Sequence, residues 1–167
     1  MEREMPVNIR NHVANFGDPY LPSLDIGEVA VCRECKSVYA DKRWELPQQA
    51  AEDLAKAAKI LDALCPACRK IKDRVPGGIV ELTGAFVREH ETEIVNLVRN
   101  ENNRAMEINP IERIMDIQKS ANGLTIQTTN EKLAQRIGRA VYKSYSGDVD
   151  YKWSEDNKLA RVYWHRD

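Results

Sequence analysis

The four cysteines of the chain occur as two Cys-x-x-Cys pairs, and this pattern constrains the fold more than any other feature of the sequence. Cys32 and Cys35 form the first pair, Cys65 and Cys68 form the second, and 29 residues separate the pairs. A gap of two residues lets both sulfurs of a pair point at one ion, and two pairs complete a closed tetrahedral site. We therefore predict a tetrathiolate metal site, in preference to redox dithiols or disulfides.

The identity of the metal is a choice between zinc and iron. The spacing resembles that of rubredoxins, which hold one iron in four thiolates and in which a glycine usually follows each pair. Lys36 and Arg69 follow the pairs here, and cationic side chains beside the sulfurs suit a structural zinc. We expect zinc, with iron as the alternative. A site with four protein ligands leaves no position open for substrate or water.

The segment between the two pairs is predicted to be a helix inserted into the metal unit. Pro47 is suited to the first helical position, and the apolar residues that follow recur on one helical face. These residues are Ala51, Leu54, Ala58, Leu61 and Leu64. We expect this region to fold only with metal bound.

Charge is distributed unevenly along the chain. The 25 basic and 26 acidic side chains give a net charge of −1, which excludes a uniformly basic nucleic-acid binder. The formal charge is −3 over residues 1–31, +3 over 32–78 and −1 over 79–167. We interpret residues 1–31 as a flexible acidic arm that is able to dock on a protein partner, and residues 32–78 as a zinc unit with four cysteine ligands.

Basic residues accumulate beside both cysteine pairs. They form one compact surface if the pairs converge on one metal, and Tyr39 and Trp44 are then either base-stacking groups or core residues. The predicted RNA-binding residues of this surface are Arg33, Lys36, Arg69, Lys70, Lys72 and Arg74.

Residues 79–167 are predicted to form a ferredoxin-like domain. The hydrophobic pattern gives the order β-α-β-β-α-β with an extra C-terminal strand. Thr83 is expected to cap a first helix that extends to about Arg104, and Asn122-Gly123 is a strong hairpin turn. The chain is therefore predicted to be α+β, with a small two-knuckle zinc unit followed by this domain.

The second helix of this domain, from Asn130 to Tyr145, combines a buried apolar stripe with a basic face. Its basic residues recur at i, i+4, i+7 and i+11, and no acid shares their face after Glu131. A solvated helix usually mixes both signs, whereas a row of cations can follow a phosphate backbone. The predicted RNA-binding residues of this face are Lys132, Arg136, Arg139 and Lys143.

Catalytic motifs are missing from the sequence. It contains no phosphate-binding glycine loop, nucleophile elbow or His-rich metal motif, and His90 is expected to be a core or boundary residue. No stretch approaches the ~18 apolar residues of a membrane helix, and the N-terminus lacks the layout of a signal peptide. We expect a non-enzymatic cytoplasmic protein that does not associate with membranes.

The residues around the cysteines resemble those of a group of short, largely uncharacterised prokaryotic zinc-binding proteins. The pattern begins with the first cysteine pair, Tyr39 and Arg43-Trp44, and continues as Cys65-Pro66-x-Cys68-Arg69-Lys70-Ile71-x-Asp73. Its first half is also similar to the N-terminal zinc region of the nonsense-mediated-decay adaptor family, which escorts the large ribosomal subunit. The resemblance implies a zinc-supported protein that contacts ribosomal RNA or ribosomal protein.

Three functions are compatible with these features. The leading hypothesis is a non-enzymatic, zinc-stabilised protein that binds the ribosome or a structured RNA. The alternative is a protein–protein adaptor whose zinc site is purely structural and whose acidic arm docks on a partner. A third hypothesis, an electron carrier that uses iron, depends on the identity of the metal.

Overall fold

A computed structural model of the chain describes residues 24–167, which form two β-sheets with separate cores. Residues 24–76, the metal unit, contain the four-stranded sheet, and residues 77–167, the α+β unit, contain the five-stranded sheet. The mixed α+β class predicted from the sequence is confirmed. Residues 1–23 of the predicted acidic arm lie outside the described part of the chain.

The metal unit contains four short strands and two short helices. Its sheet has the order β3-β2-β1-β4, in which β4 pairs in parallel with β1 and the other pairs are antiparallel. The elements are β1 (Glu28–Cys32), β2 (Val38–Ala40), β3 (Arg43–Glu45), α1 (Ala51–Lys56), β4 (Lys59–Ala63) and α2 (Pro66–Asp73). Since β1 begins at Glu28, the predicted boundary after residue 31 was wrong: it falls inside a strand of this sheet.

The prediction of one long helix between the cysteine pairs was also wrong. Only α1 is helical, and the second half of the segment is the strand β4. Pairing with β1 satisfies the backbone groups on one side of β4 over all five of its residues. The register sets Ala63 opposite Cys32. Consequently Cys65, two residues beyond the end of β4, lies beside the first cysteine pair.

The α+β unit has the predicted order of elements. Its sheet has the order β6-β7-β5-β9-β8, so the extra C-terminal strand β9 lies inside the sheet, parallel to β5. The elements are β5 (Gly78–Thr83), α3 (Ala85–Glu89), α4 (Glu91–Ile108), β6 (Ile114–Ser120), β7 (Gly123–Thr128), α5 (Glu131–Tyr145), β8 (Asp148–Ser154) and β9 (Leu159–His165).

Local signals account for several ends of these elements. Asn130 caps α5 by accepting a hydrogen bond from the backbone N–H of Leu133 at 3.1 Å. Gly123 follows the hairpin turn with a φ of 151°, and a Cβ there would overlap the Leu82 carbonyl, so only glycine fits. The expected Thr83 cap was wrong, because Gly84 is the N-cap residue of α3 and makes no side-chain capping bond.

The helix predicted to extend to about Arg104 is divided at His90 into α3 and α4. The imidazole of His90 stacks on Phe86 with ring centroids 4.0 Å apart, and its Nδ1 lies 3.1 Å from the Phe86 carbonyl oxygen. His90 is half-buried, as expected for a boundary residue.

Aliphatic side chains of the sheet, α4 and α5 form the core of the α+β unit. Leu82, Ile94, Ile126 and Ile137 are fully buried there, together with Trp164. The opposite face of the sheet carries partly exposed and exposed side chains. The helices and their loops therefore lie on one side of the sheet.

Candidate metal centre

The first cysteine pair lies in the turn between β1 and β2. The backbone N–H of Lys36 donates to the Cys32 carbonyl oxygen at 2.9 Å, which closes the turn. Lys36 has a φ of 67°, the left-handed conformation that glycine adopts most easily. Ser37 follows, and its hydroxyl oxygen lies 3.1 Å from the Cys35 sulfur. The first pair is therefore a knuckle between two strands, as predicted.

The second cysteine pair lies in the first turn of α2, so the second of the two predicted knuckles forms at a helix N-terminus. Cys65 is the N-cap residue and Pro66 takes the first helical position. The backbone N–H of Cys68 donates to the Cys65 sulfur at 3.3 Å, and that of Cys65 donates to the Cys32 sulfur at 3.3 Å. Free N–H groups at a helix N-terminus favour thiolates.

The four sulfurs converge closely enough to hold one metal ion. All four Sγ atoms lie within 4.8 Å of one another, and those of Cys35 and Cys65 are 3.7 Å apart. A metal–sulfur bond of about 2.3 Å in a tetrahedral site requires sulfurs about 3.8 Å apart. The cysteines are free thiols and not disulfides. The predicted ligands Cys32, Cys35, Cys65 and Cys68 therefore fit a tetrathiolate site.

Hydrogen bonds between neighbouring sulfurs, together with burial, determine which cysteines keep their protons when no metal is bound. A hydrogen bond with Cys65, supported by Ser37, lowers the pKa of Cys35 to about 4. The same hydrogen bond raises the pKa of Cys65, and burial raises the pKa of Cys68. Because metal ligation requires thiolates, binding of a cation would release the protons that Cys65 and Cys68 retain.

Arg113 contacts the cysteine cluster from the α+β unit. One of its terminal nitrogens, Nη2, donates to the sulfurs of both Cys65 and Cys68, each at 3.2 Å. Burial alone would lower the pKa of Arg113, but the hydrogen bond to Cys68 and the nearby thiolates outweigh it and raise the pKa. Arg113 offsets part of the negative charge that four thiolates bring to the site.

The contact through Arg113 belongs to a seam between the two units, formed by Lys70, Ile111, Arg113 and Thr129. The backbone N–H of Arg113 donates to Thr129 Oγ1 at 2.9 Å, and the ammonium of Lys70 donates to the Thr129 carbonyl oxygen at 2.7 Å. Ile111 packs against the cysteine-containing core. The metal centre is thus attached directly to the residues that precede α5.

The basic residues predicted beside the cysteines occupy different environments. Arg33 forms an ion pair with Asp62 at 3.6 Å, and the Lys36 ammonium donates to the Arg33 carbonyl oxygen. Lys70 is half-buried in the seam. The exposed basic residues on and just after α2 are Arg69, Lys72 and Arg74.

Tyr39 and Trp44 are core residues of the metal unit. Their rings are 5.2 Å apart, and 7% of Tyr39 and 5% of Trp44 remain exposed. Both pack in the cluster that contains Cys32, Cys65 and Cys68. Of the two roles considered from the sequence, the structural one is confirmed, because side chains so deeply buried have no face on which a base can stack.

The basic face of α5 is less uniform than predicted. Lys132, Arg139 and Lys143 are exposed on α5. Arg136 instead donates from Nε to the carboxylate of Glu101 on α4 at 2.7 Å, and Glu101 is only 7% exposed. No acid of α5 after Glu131 shares this face, but packing of α4 against α5 brings an acid from another helix to Arg136.

A groove of about 550 Å³ lies between the end of α4 and α5. Glu112 at its edge is half-buried, and burial raises the pKa of this carboxyl despite a hydrogen bond with Asn130 and the nearby Lys132 and Arg136. The lining residues are Ile108, Glu112, Lys132, Gln135, Arg136 and Arg139.

Several residues of these sites were missed in the sequence. Arg113 lies 45 residues after Cys68 in the chain and Glu101 lies 35 residues before Arg136, so no local spacing could connect them. Ser37, two residues after Cys35, could have been found from its position.

Within residues 24–167, the cysteine cluster is the group of three or more His, Cys, Asp or Glu side chains whose ligand atoms approach closely enough to hold an ion. Among the helices of the same residues, none has the length and apolar character required to cross a membrane. The chain matches no protein-family model and no curated protein sequence. The family resemblance noted from the cysteine region therefore stays a prediction.

Proposed function

We propose that the protein is a non-enzymatic RNA-binding protein, built around a structural zinc ion, that acts on ribosomal RNA or on the ribosome. The observation that carries the proposal is the row of cations on α5, Lys132, Arg136, Arg139 and Lys143. Three of these are exposed, while the other side of the helix is buried in the core. A row of cations held on one rigid element suits the regular charge of a phosphate backbone.

A second group of cations supports the same function. Lys72 and Arg74 are exposed at the C-terminal end of α2, and Arg69 is exposed one turn earlier. The bond from Lys70 to the Thr129 carbonyl oxygen joins α2 to the residue before the Asn130 cap of α5. Cations on both helices are therefore available to one extended polyanion.

A structural role for the metal is supported by its ligand set. Four thiolates complete a tetrahedral zinc site, and Cys32, Cys65 and Cys68 are buried. Zinc would cross-link β1, β2 and α2 and supply no reaction. Metal analysis of the purified protein tests this assignment: a colourless protein with one zinc supports it, and a red protein with iron supports the electron-carrier alternative.

Co-sedimentation with ribosomes from a lysate, together with direct binding to ribosomal RNA, tests the function. Reversing the charges in the double variant Arg139→Glu/Lys143→Glu should weaken binding at least tenfold and reduce the slope of log Kd against log salt by about 2. The matched control is Lys152→Glu/Arg161→Glu. This pair makes the same charge change on β8 and β9, on the sheet face opposite the helices.

An equal loss of RNA binding in both double variants would mean that net charge alone determines the affinity, and it would contradict a site on α5. A protein that stays at the top of the gradient at both low and moderate salt contradicts RNA binding altogether. The adaptor function would then be favoured by the outer edge of β4, which pairs with no other strand among residues 24–167 and carries Ile60 at 55% exposure. Such an edge can accept a strand from a protein partner.

A further inference from the structure

We infer that the groove between α4 and α5 binds one unstacked nucleotide of an RNA strand and prefers adenine or cytosine. This inference rests on the proposed RNA-binding function and adds a defined site and a base preference to it. The groove volume of about 550 Å³ lies within the range of about 300–1,000 Å³ that is typical of small-ligand sites. Sequence-specific proteins commonly recognise RNA through such unstacked bases.

Gln135 supplies a polar group that the fold itself does not use. Its side chain is 7% exposed, and its Nε2 has no hydrogen-bond partner among the described residues. A buried amide without a hydrogen-bond partner destabilises a folded protein. Because Gln135 lines the groove, a small rotation of the amide toward a bound base would recover that lost hydrogen bond.

Glu112 supplies the acceptor that selects among bases. Its half-buried carboxyl lines the groove and interacts with the Asn130 side chain. A carboxylate accepts hydrogen bonds from the exocyclic amino groups of adenine and cytosine, whereas uracil presents a carbonyl oxygen at the corresponding position. The Glu112 acceptor together with the Gln135 Nε2 donor therefore matches a base whose amino group lies next to an unprotonated ring nitrogen. Adenine and cytosine have this pair of groups, whereas guanine and uracil carry an N–H at the ring position.

The remaining lining residues suit the rest of a nucleotide. Ile108 is 75% exposed at the end of α4 and offers an apolar wall for the face of the base. Lys132 and Arg139 bring positive charge for the phosphate, and Arg136, whose charge is offset by Glu101, offers its remaining guanidinium N–H donors. The ion pair with Glu101 holds the Arg136 guanidinium in place, which reduces the entropy lost when a phosphate binds.

Fluorescence anisotropy with labelled rA10, rC10 and rU10 tests the inference on the full-length, metal-loaded protein. The wild type should bind rA10 and rC10 about tenfold more tightly than rU10. Gln135→Met and Glu112→Gln should each reduce this preference to about twofold or less and leave the Kd for rU10 nearly unchanged. Gln135→Met keeps the side-chain volume and removes an unpartnered donor, so folding is preserved.

Lys143→Gln provides the matched control, because Lys143 lies on the same helix outside the groove. It should weaken binding of all three oligonucleotides equally. Equal, salt-dependent binding of the three oligonucleotides by the wild type would overturn the nucleotide site and leave the proposed function intact. No binding to any of them would also overturn the nucleotide site, and co-sedimentation with ribosomes would then decide the proposed function separately. Free AMP that competes as well as rA10 would overturn the assignment to an RNA strand.

Discussion

The two units of this protein are stabilised in different ways. The core of the metal unit contains Cys32, Cys65 and Cys68 beside Tyr39 and Trp44, and its strands are three to five residues long. The core of the α+β unit contains large aliphatic residues from strands of six or seven residues and from two long helices. The first core is small and rich in sulfur, and the second is large and apolar.

This difference indicates which force holds each unit together. Burial of aliphatic side chains contributes stability in proportion to the apolar area removed from water, and the α+β unit has enough of it to fold without a ligand. The metal unit, with about fifty described residues and a small core, is below the size at which such burial suffices. A metal ion held by the four cysteines would join β1, the turn that follows it and α2, and would replace the missing apolar contacts.

Removal of the metal should produce the largest effect. Structural zinc contributes about 10–16 kcal/mol of apparent binding free energy in zinc-finger peptides, so a chelator should unfold the metal unit. Hydrogen exchange should show lost protection in β1, β2 and β4 and retained protection in β5, β7 and β9. A Cys65→Ser/Cys68→Ser variant should show the same pattern without the chelator. An unchanged exchange pattern and thermal midpoint would remove the distinction between the two units.

Truncation of the aliphatic core should have the next largest effect. Ile137 is fully buried on α5, and Ile137→Ala should lower the free energy of unfolding of the α+β unit by about 2–5 kcal/mol through lost burial and the remaining cavity. Urea denaturation of the metal-loaded protein measures the change. A loss below about 1 kcal/mol would mean that this unit does not depend on tight aliphatic packing.

Substitution at the seam should have a smaller effect on metal affinity, because it removes a contact that the α+β unit makes with the sulfurs of the metal unit. Arg113→Gln removes the hydrogen bonds to two sulfurs, so we expect a 10–100-fold loss of metal affinity of the kind that follows loss of a group contacting metal ligands, on the order of 1.5–3 kcal/mol. Competition with a chromophoric zinc chelator measures the metal affinity.

Arg161→Gln is the control for the seam substitution, because Arg161 is exposed on β9 and has the same charge. It should leave the metal affinity unchanged. If Arg113→Gln also leaves it unchanged, the contact of Arg113 with the sulfurs does not contribute to metal affinity, and the α+β unit does not influence the metal site through Arg113.

Features encoded by neighbouring residues could be predicted from the sequence. The Asn130 cap, the Asn122-Gly123 turn and the order of elements in the α+β unit agree with the structure, because each depends on a few adjacent residues or on a regular period. The segment from Pro47 to Leu64 could not be predicted in the same way. Its helical period is local, whereas the strand β4 forms only because the edge of β1 lies beside it.

The candidate sites show the same difference between features set by neighbouring residues and features set by tertiary contacts. The four cysteines determine the metal site through spacing alone, and the structure brings all four sulfurs together. The environment of that site depends on Arg113, which the chain order does not connect with the cysteines. The predicted basic residues of α5 lie on one helix, but Arg136 among them is paired with Glu101, which reaches it from α4.

By itself, therefore, the sequence determined the metal ligands, the α+β class and the helix that carries the basic row. The tertiary structure alone decided the strand β4, the seam through Arg113 and Thr129, the neutralisation of Arg136 and the groove lined by Glu112 and Gln135. The physical reason is the distance along the chain between the residues that interact. Ligand spacing, caps and turns are set by bonds between near neighbours, whereas charge pairing and cavities depend on distant segments that meet only when the two sheets and their helices pack.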